Sequence, residues 1–289
     1  MPTSRREFLA LTGAAAIAGV VPGALRAESG AWSLESGVVR ADRIKKIGLQ
    51  LYTVRDLMKD DFDGTIAQVA KIGYQEVEFA GYFGKTAPAV RKILDANGLV
   101  SPSSHVAIED LEKDPNAIFD YARTVGHEWV IIAWLDEDRR NTVAALHQVA
   151  DEFNAIGEKA RAAGLRFAYH NHNPEFTPIE GQLPYDIFLS RTDPALVQFE
   201  MDLYWIVNGG GDPLTYFAKY PGRFPLVHVK DMTKDRKMVD VGQGAIDWKT
   251  IFAHAKQAGI EHYFVEHDEP PMPLADIRTS FEYLRALRF

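Results

Sequence analysis

The sequence predicts an α/β protein, a single-domain (β/α)8 TIM barrel. Three observations predict it. Short apolar runs of strand length alternate with longer amphipathic runs eight times along the chain. The eight units occupy about 250 residues, the usual size of a closed barrel. Most of the apolar runs finish in ionisable residues, and the C-terminal strand ends are where barrels carry their chemistry.

The first residues stand apart from this alternation. Ser4-Arg5-Arg6-Glu7-Phe8-Leu9 is followed by a small-residue apolar run, Ala10 to Val21, and then by Pro22-Gly23-Ala24-Leu25-Arg26-Ala27. A charged start, a short apolar stretch and a small-residue end make a bacterial export signal. The paired arginines before Phe8-Leu9 resemble the twin-arginine type. Residues 1–27 are therefore read as the signal, 28–43 as a linker and 44–289 as the barrel, with the mature protein in the periplasm and no integral membrane segment once the signal is removed.

The expected strands are Lys46–Leu51, Gln75–Phe79, Leu99–Ser103, Trp129–Ala133, Leu165–His170, Val197–Asp202, Leu226–Lys230 and His262–Glu266. Helical patterns lie near Phe62–Ile72, Ala87–Asn97, Ala117–Val125, Thr142–Ala163, Tyr185–Ser190, Pro213–Lys219, Trp248–Ala258 and Ile277–Leu287. Gly73, Gly98, Gly164 and Gly259 close helices just before a strand, where a left-handed residue is wanted. Strand and helix alternating at this spacing give a parallel sheet. An open doubly wound sheet is disfavoured because no glycine-rich phosphate loop follows the first strand. Gly209-Gly210-Gly211 comes only after the sixth and lacks the required spacing.

Composition narrows the function. The chain of 289 residues is 46% hydrophobic and carries a net charge of −8, which disfavours nucleic acid as a partner. It has no cysteine, so disulfides, zinc–thiolate sites and cysteine nucleophiles are excluded. Any transition metal must rest on His, Asp, Glu or water.

Parallel strands buried on both faces should read as continuous apolar runs. Instead the ends read Glu76-Val77-Glu78-Phe79, Ser103-Ser104-His105, Tyr169-His170-Asn171-His172, Phe199-Glu200-Met201-Asp202, Val227-His228-Val229-Lys230 and Phe264-Val265-Glu266. Charges placed singly in a core cost several kcal/mol each, whereas one shared site explains them together. The fifth to eighth strands are neighbours in a barrel, so His170, Asp202, His228 and Glu266 can converge on one divalent ion. Two imidazoles with two carboxylates suit Mn, Co, Fe, Ni or Zn. Alternate residues of a strand share a face, which puts His172 beside His170 and Lys230 beside His228. Glu266, Lys230 and His172 are the expected catalytic groups, with Lys230 giving up its proton more readily beside a dication. Glu78, His105 and Trp205 are expected to bind substrate. Asp231 and Asp240 are read as caps or solvent-facing groups, and Trp129, Trp134 and Trp248 as packing. His127, His147, His254 and His262 are given no role.

In order, Gly48-Leu49-Gln50-Leu51-Tyr52, Gly73-Tyr74-Gln75-Glu76-Val77-Glu78, Tyr169-His170-Asn171-His172, Asp202-Leu203-Tyr204-Trp205, His228-Val229-Lys230-Asp231, Val241-Gly242-Gln243-Gly244 and Val265-Glu266 resemble the sugar phosphate isomerase/epimerase family, the xylose-isomerase-like TIM barrels. The resemblance implies a divalent metal held after the fifth to eighth strands, commonly by Glu, Asp, His and Glu. Asp202, His228 and Glu266 match three of these. His170 stands where the epimerases carry glutamate, and so is similar to members that act as dehydratases or lyases on keto-sugars and keto-inositols. The expected function is thus a metal-dependent isomerase, epimerase or lyase acting on a keto-sugar or sugar derivative through a metal-stabilised enediolate. The alternative is a non-catalytic periplasmic sugar-binding barrel. A multi-metal nuclease is disfavoured by the acidic charge and the shortage of further ligands.

Overall fold

A computed structural model describes residues 42–289. The expected export signal over 1–27, and the linker up to residue 41, lie outside the described residues. Eight parallel strands close into a barrel in chain order: β1 (Gly48–Gln50), β2 (Glu76–Phe79), β3 (Val100–Val106), β4 (Trp129–Ile132), β5 (Arg166–His170), β6 (Val197–Asp202), β7 (Leu226–Val229) and β8 (His262–Val265). β8 closes on β1 through Gly48 opposite Phe264. A Cβ at Gly48 would stand 2.4 Å from the Phe264 ring, so the closure needs glycine there.

The main helices between strands are Phe62–Ile72, Ala87–Asn97, Pro115–Val125, Val143–Ala162, Pro184–Arg191, Pro213–Lys219, Trp248–Ala253 continued by Ala255–Ala258, and Pro273–Ala286. These follow the sequence pattern closely. β3 departs from it by running three residues past the expected end. Ser103, Ser104, His105 and Val106 pair along the whole of β4, and their polarity had hidden the strand. Short helices at Leu51–Val54, Arg55–Asp60, Ile108–Lys113 and Leu203–Asn208 were not expected. At four to six residues they are too short to show a helical period.

Strand alternation divides the interior. Outward residues such as Leu49, Val77, Phe79, Phe167, Val197 and Phe199 join the large apolar core shared with the helices. Trp129, Ile131, Ala168, Leu226 and Phe264 form a separate cluster inside the barrel. That apolar plug separates two polar layers. At the N-terminal end Glu76 pairs with His262 at 2.8 Å. At the C-terminal end sit Gln50, Glu78, His170, Glu200 and His228, all at most 1% exposed.

Two expectations about loops are corrected. Asp231 neither caps a helix nor faces solvent. It is buried, and its carboxylate accepts bonds from the Met232, Gly242 and Gly244 N–H groups and from Trp248 Nε1 at 2.8–3.2 Å. It therefore organises the loop after β7, which includes a small ribbon of Asp231–Met232 against Met238–Val239. Trp129 and Trp248 are packed as expected, but Trp134 is 52% exposed, so packing does not account for it. Among the described residues, no helix is long and apolar enough to cross a membrane.

Candidate active site at the C-terminal mouth of the barrel

Asp202 closes β6 and begins the helix Leu203–Asn208. Its Oδ1 accepts from the Tyr204 and Trp205 N–H groups, both at 2.9 Å. This cap fixes the carboxylate and leaves Oδ2 buried inside the barrel. Around Oδ2 stand Lys230 Nζ at 2.9 Å, His170 Nε2 at 3.7 Å and His228 Nδ1 at 3.9 Å. Glu266 Oε2 lies 2.6 Å from the same His228 nitrogen.

The opposite edges of both imidazoles face Glu200. Its Oε2 is 3.1 Å from His170 Nδ1, 3.3 Å from His228 Nε2 and 2.7 Å from His105 Nε2. Glu78 adds a second carboxylate there, 2.7 Å from His228 Nε2 and held by Gln50 Nε2 at 2.7 Å. Sequence reasoning gave Glu200 no role. The signal was available: two residues before Asp202 on one strand, it shares that residue's face by the same alternation that paired His228 with Lys230. Gln50 and Asp268 carried no such signal, the first being an uncharged amide and the second lying in a loop.

The donor set fits a divalent cation. Glu200 Oε1 is a buried carboxylate oxygen without a hydrogen bond, an arrangement costly unless a positive charge meets it, while Asp202 Oδ2 meets the Lys230 ammonium at 2.9 Å and shares it with Glu266 and Asp268. Two groups hold their donor atoms within 4.8 Å of one another: His105, His170, Glu200 and His228, and Asp202, His228 and Glu266. His228 belongs to both. His170 falls in the first group and Asp202 and Glu266 in the second, so the four residues expected from the sequence are linked through His228 rather than gathered in one group, with His170 Nε2 3.7 Å from Asp202 Oδ2.

The expected catalytic and binding residues take unequal places. A cavity of about 700 Å³ opens over the cluster, and His105, His170, His172 and Glu266 line it. Glu78 lies beneath this wall rather than on it, fully buried under His105 and His228. Trp205 stands behind His172, with ring centres 5.8 Å apart, and is not on the cavity wall. His172 is set by Glu175, whose carboxylate accepts from the His172 N–H at 2.7 Å and from the Tyr169 hydroxyl at 2.8 Å.

Electrostatics separates the cavity histidines. Burial and the nearby Lys230 charge push His172 down to about 3, so its ring is neutral. Burial would also lower His105, but the carboxylates of Glu78 and Glu200 outweigh it and hold the ring up to about 9. Burial lifts Asp202 to about 6 against the pull of Lys230. Burial opposes the charge of Lys230, yet Asp202, Glu266 and Asp268, at 2.8–2.9 Å, more than compensate and hold its pKa well above the usual lysine value.

Known proteins share this architecture. The inosose dehydratase of Lacticaseibacillus casei is 22% identical over 267 residues, covering 79% of this chain and 88% of that protein. A sugar phosphate isomerase/epimerase structure from Parabacteroides distasonis is 28% identical, with a TM-score of 0.75 over 88% of this chain and 96% of its own. An IolI protein with a bound zinc atom shares the fold at 15% identity, with a TM-score of 0.66 over 82% and 95% of the two chains. Residues 66–287 match the xylose isomerase-like TIM barrel family, and the chain belongs to it.

Proposed function

We propose that the protein is a divalent-metal-dependent lyase or isomerase that removes a proton beside the carbonyl of a keto-sugar or keto-cyclitol. One observation carries the reading: His170 and His228 each turn one ring nitrogen toward Asp202 Oδ2 and the other toward Glu200 Oε2. That is how metal-ligating histidines are set by an outer carboxylate. Asp202, His170, His228 and Glu266 would hold the ion. When bound, it supplies Lewis acidity that polarises a carbonyl and lowers the cost of the charge developing there.

The chain's own groups supply the proton movements. His172, on the cavity wall beside His170, is placed to accept the proton at a ring nitrogen. His105, protonated on the same wall, donates one from its imidazolium. Lys230 is a fixed positive charge that steadies the carboxylates of Asp202 and Glu266. Elimination is favoured over epimerisation by His170 in place of a second carboxylate, and by the dehydratases among the relatives.

The test is to incubate metal-loaded protein with keto-cyclitols and keto-sugars in deuterated water. NMR should show exchange at the carbon beside the carbonyl and loss of water from one of them. Binding without exchange or product across the panel would instead support a sugar-binding barrel. We also propose export through the twin-arginine signal. Replacing Arg5 and Arg6 by lysine should keep the protein in the cytoplasm, and normal export of that variant refutes the route.

A further inference from the structure

The cavity is lopsided. The metal-type ligands end β5 to β8, whereas the space extends over β2 to β4. Those three strands are each followed directly by alanine: Ala80 after Phe79, Ala107 after Val106 and Ala133 after Ile132, all on the cavity wall. Small side chains at three neighbouring strand ends keep a lobe open beside the chemistry. Its rim carries Trp134 and Tyr52, 52% and 41% exposed. Each has a guanidinium over its ring, Arg140 at 5.4 Å and Arg55 at 4.0 Å. Exposed large aromatics at a cavity mouth mark a binding surface when packing does not account for them.

The size and charge of the lobe limit what it takes. A volume of about 700 Å³ falls well inside the range of roughly 300–1,000 Å³ that buries drug-sized ligands. A cavity of that size has room for more than one six-membered ring. Glu109, Asp110 and Asp136 lie on its wall, and among the described residues no lysine or arginine lines the cavity. The carboxylates of Glu109, Asp110 and Asp136 disfavour an anionic group on that wall, and the guanidinium groups of Arg140 and Arg55 lie over the rim aromatics rather than on it.

We propose that this lobe is a second subsite, and that the substrate is a glycoside: a keto-sugar ring over the ion-binding end, joined through oxygen to an uncharged second sugar ring in the lobe. The proposal rests on the sugar-acting reading above, and its test does not require turnover. Ligand-observed NMR titrations of the metal-loaded full chain would compare methyl β-glucoside with cellobiose, and methyl α-glucoside with maltose. At least one two-ring probe should bind tenfold or more tightly than its one-ring partner. Trp134→Ala, which removes the platform, and Ala133→Leu, which fills the lobe, should each bring that ratio close to one. Equal affinity of one- and two-ring probes in the unmodified protein, binding of neither, or a ratio untouched by both replacements overturns the subsite. Deuterium exchange is read separately. Its failure with the two-ring preference intact refutes the reaction and leaves the subsite standing.

Discussion

Asp202 shows how one side chain does two jobs. One oxygen caps a helix and so aims the other at the imidazoles of His170 and His228. Asp202→Ala and His228→Ala should each lose bound metal, measured by mass spectrometry of the purified proteins. Glu200→Gln should weaken metal binding by about 10- to 100-fold without abolishing it, since it touches the ligands and not the ion. His172→Ala should keep the metal and lose most of the rate. Stoichiometric metal in Asp202→Ala would rule out the proposed ligand set. His127 makes a separate prediction. It is buried, with Nδ1 on the Ser101 carbonyl and Nε2 accepting from the Tyr82 hydroxyl, each at 2.8 Å. Burial lowers it to about 4 from an ordinary 6.5. Its folded pKa is depressed, so its contribution is full above pH 6.5. Stability then falls toward pH 4, by about 3 kcal/mol, as the unfolded chain takes up a proton that the fold refuses. Urea denaturation of His127→Asn should show a shallower pH slope across that window, by up to one proton. An unchanged slope would place the acid sensitivity elsewhere.

Elements are set by small numbers of polar anchors. The 20-residue helix Val143–Ala162 starts where Thr142 accepts from the Ala145 N–H at 3.1 Å. The loop after β7 depends in the same way on Asp231, which gathers four backbone N–H groups, from Met232, Gly242, Gly244 and Ile246, and an indole. Asp231→Ala leaves those donors buried without an acceptor and should cost about 3–5 kcal/mol. A lowered melting temperature, with new proteolytic cleavage between residues 231 and 247, is the expected result. Full stability of that variant would mean that the loop is held by its apolar contacts alone. Lys230 and Glu266 neighbour this loop, so its loosening should also reduce activity.

At the scale of the whole molecule, the barrel carries a layer of buried charge at one end, and a cation is the simplest way to neutralise it. Chelation should therefore destabilise the fold as well as inactivate it. Metal at a hundred times its dissociation constant contributes about 2.7 kcal/mol, equivalent to roughly 5–10 °C in a domain of this size. Calorimetry before and after treatment with chelator, then with added Mn or Zn, measures this. A melting temperature indifferent to both treatments would argue against a bound ion at the mouth.

By itself the sequence determined the barrel and most of its strand boundaries. The period of its apolar residues and the glycines at its helix ends are local signals, and they need no knowledge of what lies across the barrel. It also marked His170, Asp202, His228 and Glu266, because ionisable groups ending apolar strands are conspicuous one strand at a time. Only the tertiary structure decided how these groups divide the work. That Glu200 serves three imidazoles, that three carboxylates hold Lys230 charged, and that Glu78 lies under the cavity rather than on it all depend on distances between strands far apart in the chain. The open lobe had the same cause: alanines after β2, β3 and β4 are unremarked in sequence, and become a wall only when closure sets those strands side by side.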